Sequence, residues 1–196
     1  AKAYMLYQRI ADENADIDPD DMSRAPFVGK ALTSVALYVK DGLAEIALKP
    51  DLERAVEDLR HAATMFNEMD AQFELSKIQI GDEAQRRTGL HFLQKLVRES
   101  HPGAQALFAD LLFRGRYVKQ DKAQALALIK MASENATYSD RIWIDDIYQN
   151  VFCGSSPDVR AQSQGYVASW RNAFARPRVV VEAPVGPGRR GDLGSP

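Results

Sequence analysis

The chain has 196 residues, 45% of them hydrophobic and 27% charged, with a formal net charge of −2. That is an ordinary globular composition, and its small charge gives no reason to expect nucleic acid or an acidic membrane as a partner. The single cysteine, Cys153, excludes an internal disulfide framework and a multi-cysteine metal site, and no apolar run is long enough to span a bilayer.

The chain opens on Ala1, with no start methionine and no visible signal peptide, and reads as a mature form or an internal fragment. Residues 1–15 fit a helix with Ala3, Tyr4, Tyr7, Ile10 and Ala11 on one stripe. The same spacing returns three times: Ala55, Val56, Leu59, Ala62, Ala63; then Gly89, Leu90, Leu93, Leu96, Val97; then Ala125, Leu126, Ile129, Ala132, Ser133. A second pattern precedes each of these later stripes. Ala31, Val35, Ala36 and Tyr38 match Ala71, Leu75, Ser76 and Ile78, and these match Ala104, Phe108, Ala109 and Leu111.

Two helix patterns alternating in register define a repeat of helical hairpins, about 33 to 36 residues long with one longer spacing near the start. Small residues at the crossings let helices approach closely, where a larger side chain costs on the order of 1–3 kcal/mol. Gly42, Gly81 and Gly115 fall where a glycine with positive φ closes the first helix of a hairpin. Asp51 and Asp121 stand where they cap the second.

In chain order the expectation is a lone second helix over 1–15, then an acidic loop over 17–26. Hairpins follow over 27–69, with a long turn at 45–50, and over 70–100 and 102–135. A degraded capping copy covers 139–174, split at 154–157. Residues 175–196 are rich in proline, glycine and arginine and are expected to be a disordered tail. The lone first helix should expose Tyr4, Tyr7 and Ile10, which suggests that the natural protein extends upstream.

No catalytic or metal-binding constellation emerges, and no cofactor is expected. His61, His91 and His101 lack zinc-site spacing; the first two suit surface or groove positions and His101 a capping role. Cys153 is expected to be partly buried and structural. Asp16–Asp21 departs from a calcium loop, with Asp21 in the glycine position and Phe27 in the glutamate position. It reads as a solvated acidic loop that caps the next helix. Asp145 and Asp146 are neighbours on a helix and diverge by about 100°, so they do not share a site.

Gly115, Val118, Asp121 and Ala125, after the alanine-led helix from Ala104, resemble a Sel1-like repeat. The resemblance covers most of residues 1–174. It implies an all-α, right-handed α/α superhelical solenoid related to tetratricopeptide repeats. Residues 70–75 (DAQFEL) and 101–113 (HPGAQALFADLLF) are similar to segments of the ExoR family. So is the order of the helix AYMLYQRIADE, the acidic insertion and the helix ALTSVALYVKDG. That resemblance implies a periplasmic protein that binds the sensor domain of a histidine kinase and restrains a two-component pathway controlling exopolysaccharide production. The missing export signal and the Pro/Gly/Arg tail depart from that family.

A solenoid without a catalytic site would bind a protein through the surface of its first helices, with no small-molecule substrate evident. The residues between the packing positions become the groove candidates: Gln72, Glu74 and Lys77, then Gln105, Leu107 and Asp110. Simple solvation is the alternative for each. At the level of the whole protein, the alternative to a kinase regulator is a scaffold, cytoplasmic or periplasmic, for an envelope or export complex.

Overall fold

A computed structural model of the protein describes residues 1–174. The expected tail, 175–196, lies outside the described residues. Nine α-helices are described: α1 (Lys2–Glu13), α2 (Ala25–Asp41), α3 (Leu52–Met65), α4 (Met69–Gly81), α5 (Arg86–Arg98), α6 (Pro102–Arg114), α7 (Lys122–Asn135), α8 (Arg141–Cys153) and α9 (Pro157–Phe174). Helices α2 and α3, α4 and α5, and α6 and α7 pack as hairpins, and each hairpin touches the next through α3 with α4 and α5 with α6. Helix α1 packs on α2 as a second helix would, and α8 and α9 both pack on α7. The architecture is an all-α solenoid.

The repeat stripes are the core. Leu59, Leu93 and Ile129 occupy one repeat position and are fully buried, flanked by Ala55, Ala62, Leu96, Ala125 and Ala132, also at 0% exposure. Truncating any of the three to alanine should cost about 2–5 kcal/mol. Buried Ala31, Ala36, Ala71, Ser76, Ala104 and Ala109 mark the crossings on the first helices. Gly89 replaces alanine at one crossing because α4 leaves no room: a Cβ there would stand 2.8 Å from the Ile80 backbone nitrogen and from Gln79 Cβ.

The turns also repeat. Asp51 and Asp121 cap α3 and α7, their side chains accepting from the backbone N–H of Arg54 at 3.0 Å and Gln124 at 2.8 Å. Between hairpins, Asn67 and Ser100 both take positive φ, 48° and 63°, and Glu68 and His101 follow with matching extended backbones. Gly42 and Gly115 take φ of 76° and 66° as expected. Gly81 does not: it ends α4 within helical bonding, and a Cβ there would meet nothing. The long turn after α2 folds into a short 3-10 turn, Ala44–Ile46, closed by a Leu43–Leu48 bridge.

Other expectations need correction. Helix α2 starts at Ala25, because Pro26 in its first turn suits helix initiation. Tyr4 and Tyr7 are not left bare; they pack with Val35, Val39 and Ala55, and the Tyr4 ring meets Tyr38 edge-on at 5.9 Å. Met5 and Leu6 are the apolar residues of α1 that face outward, 57% and 49% exposed. Cys153 is exposed instead of partly buried, since it ends α8 beside the turn at Gly154.

Candidate functional site

The face built by the first helices carries a groove of about 610 Å³. Helix α2 contributes Phe27, Lys30, Thr33, Ser34 and Leu37; α4 contributes Asp70, Phe73, Glu74 and Lys77. Tyr7 and Ile10 of α1 close one end, and His101, Gly103, Asp140 and Trp143 close the other. Relative to the leading alanine of each first helix, Ala31 or Ala71, the lining falls at offsets −1, +2, +3 and +6, with Phe27 added at −4 on α2. These offsets share one face of a helix with 3.6 residues per turn.

Of the groove candidates, Glu74 and Lys77 are among the lining residues of this groove. Gln72 is not. It stands at offset +1, about 160° around the helix from Glu74, and faces α3 and α5. There it donates to Asn67 at 2.9 Å and accepts from Lys95 at 3.4 Å. Gln105, at the same offset on α6, is 1% exposed and cannot meet a partner from solvent. Leu107 packs half-buried against the main core, and Asp110 pairs with Arg114 at 2.7 Å within α6; both lie outside the groove lining. Offsets −1 and +2, which supply Lys30, Asp70 and Phe73, were missed. The spacing of the alanine stripe marks which positions are unburied, but not which of the unburied faces stays open.

The groove lining mixes exposed charges, Lys30, Asp70 and Lys77, with buried Ala31 and Phe73. Glu74 lies between Lys40 at 3.4 Å and Lys77, whose ammonium also sits 4.8 Å from the centre of the Phe73 ring. At the other end, the Nδ1 of His101 accepts from the Ala104 N–H at 3.1 Å and so caps α6. The proton of a neutral ring is then on Nε2, which donates to Asp70 Oδ1 at 2.9 Å. That hydrogen bond, aided by the charge of Lys30, holds the Asp70 carboxyl below its ordinary range. Burial pushes Glu68 the other way, and the nearby Asp70 adds to the shift. Phe27 is 68% exposed, and Ile142, next to the lining Trp143, is 77% exposed.

The remaining residues singled out in the sequence do not assemble into chemistry. His61 stacks on Phe66 and is exposed, as is His91. Asp145 accepts from Ser133 at 2.7 Å while Asp146 faces solvent. In the acidic loop Asp21 accepts from the Ser23 hydroxyl and the Arg24 side chain, which lower its pKa to about 2, and its carbonyl accepts the Ala25 N–H that opens α2. Among the described residues no cluster of three metal-binding side chains occurs, and no helix is long and apolar enough to cross a membrane.

Hairpins repeating at about 33 to 36 residues, with small-residue crossings and an open first-helix face, define an α/α solenoid. A solved structure of this fold superposes on the chain. It is c5321, a protective antigen of uropathogenic Escherichia coli with an SLR (Sel1-like repeat) fold, aligned with a TM-score of 0.57 over 88% of this chain and 38% of that one. At 18% identity, that likeness speaks to the fold alone.

Within this class the chain is similar to two curated relatives, both called exopolysaccharide production negative regulator. The one from Rhizobium leguminosarum bv. viciae is 27% identical over 154 residues, covering 77% of this chain and 55% of the relative. The one from Rhizobium meliloti (strain 1021) is 25% identical over 162 residues, covering 81% and 58%. The chain thus spans less than three fifths of these relatives' length. No protein-family model matches it.

Proposed function

We infer that this chain is the repeat region of a non-catalytic regulator that restrains exopolysaccharide production by holding another protein in its first-helix groove. The observation that carries this reading is the groove itself: about 610 Å³, lined by charges of both signs and by Phe27, which is 68% exposed. Exposed aromatic anchors around a polar, shape-complementary surface are typical of protein-binding sites. Regulation needs no chemistry here, because preferential binding to one state of the partner shifts its activity. The similarity to ExoR-type regulators points to the sensor domain of a histidine kinase as partner and to the periplasm as the place of contact.

The test is co-purification. The full-length native protein, expressed with the external sensor domain of a histidine kinase from the same organism, should retain that domain through size-exclusion chromatography. Deletion of the gene should raise exopolysaccharide output. A complex that fails to form across pH 5–8 and low to moderate salt would remove the kinase reading while leaving the fold untouched.

A further inference from the structure

A second depression lies on the opposite side of the solenoid from the groove. It occupies about 430 Å³ between α3 and α5, with α4 as its floor. Ala63, Leu75 and Ile78 form its apolar wall, continuous with the buried cluster of Leu59, Ala62 and Ala71. Phe92 stands at its mouth, 42% exposed.

Its neighbours along the repeat differ. The cleft between α1 and α3 is about 200 Å³ and holds the carboxylates of Asp12 and Asp58. The next junction is closed over Gln105, which is 1% exposed and occupies the repeat position of Gln72. The space between α3 and α5 is therefore a local departure from the repeat.

Its polar groups are unbalanced in one direction. Arg60 and Lys95 line it, and no acidic residue does. Lys95 reaches Gln72 at 3.4 Å and Glu99 at 3.7 Å, while no ion pair is formed by Arg60 among the described residues. Gln79, also in the lining, has its side-chain oxygen buried with no hydrogen-bond partner. A buried acceptor without a donor is costly, and a bound N–H or O–H would satisfy it. Gly89 brings α5 against Gln79 Cβ, which restricts how far that side chain can swing.

An apolar wall, an orphan acceptor and two cations at the mouth specify a small amphipathic ligand. We propose that the α3/α5 cleft binds a small organic acid with an apolar chain, one N–H or O–H donor and a terminal carboxylate. The apolar chain lies against Leu75 and Ile78, the donor meets Gln79 Oε1, and the carboxylate faces Arg60 and Lys95. This site is separate from the groove and does not depend on the regulator reading.

Isothermal titration with N-octanoylglycine tests it, since that molecule carries all three features. Binding to the intact chain is expected with a Kd below about 1 mM. Arg60→Glu, on an exposed side chain, should weaken it about tenfold or more, and the uncharged N-octanoylglycinamide should bind the wild type more weakly by a similar factor. Filling the cleft with Ala63→Phe should abolish binding, provided circular dichroism shows the variant folded. Phe27→Glu, in the other groove, should leave binding unchanged. No saturation up to about 5 mM, well above that Kd, equal affinity in Arg60→Glu, or loss of binding in Phe27→Glu would each overturn the proposal.

Discussion

Residue identity matters most where helices nearly touch. At Gly89 the obstruction is the α4 backbone, which a rotamer change cannot relieve. Alanine would raise helix propensity by up to about 1 kcal/mol, but the overlap should outweigh that gain. Gly89→Ala is expected to lower stability by about 1–3 kcal/mol, read from the urea unfolding midpoint; an unchanged or raised midpoint would mean that α5 shifts freely. His101 makes a different point. His101→Ala should remove the α6 cap and cost about 1 kcal/mol, whereas His101→Asn should keep most of it. Asp70 supplies the pH dependence. Its folded carboxyl titrates below its unfolded value, so its contribution is full above the ordinary carboxylate range and is lost as pH falls through the folded value. Asp70→Asn should therefore reduce the stability lost as pH falls below about 5. The effect should be small, because the side chain is 62% exposed.

At the scale of the helix, the second helices depend on neighbours from both sides. Helix α7 is as enclosed as α2 and α6 by count, with eight buried residues from Ala123 to Ala132. It is covered by α6 on one side and by α8 and α9 beyond. Arg171 to Glu134 at 2.8 Å and Tyr166 to Asp121 at 3.2 Å tie α9 down, and Trp170 packs against the main core. Ending the chain after Ser156 should expose that face of α7. The expected result is a clearly lower melting temperature and concentration-dependent aggregation in light scattering; an unchanged melting curve would show that α9 is not a cap. The hairpins were legible in the sequence because small and large apolar residues alternate at one spacing in several copies. The groove was only half legible. Glu74 and Lys77 were placed on it, but Gln72 and Gln105 were placed with them, although offset +1 points toward the second helices. Spacing separates buried from unburied positions. Which unburied face stays open depends on the neighbouring hairpin, and that is a tertiary property.

The whole molecule is a row of linked cores. One cluster joins α1, α2 and α3 around Val35 and Val39, a second joins α2, α3 and α4 around Leu59, and the largest runs from α4 to α8. Such a row is stabilised by nearest neighbours and leaves two long faces free for binding. One face carries the mixed-charge groove with Phe27, the other the basic apolar cleft between α3 and α5. Few fold-determining residues are exposed on the groove, so its surface can be altered without unfolding the chain. Phe27, 68% exposed, offers the cleanest substitution. The measurement that bears most directly on the central claim is the affinity of full-length Phe27→Glu for the kinase sensor domain, by calorimetry alongside wild type. The account predicts at least a tenfold weaker Kd with an unchanged circular dichroism spectrum, as expected for loss of an aromatic anchor, about 1.4 kcal/mol or more. Equal affinity would place the contact elsewhere and contradict the groove as the binding surface.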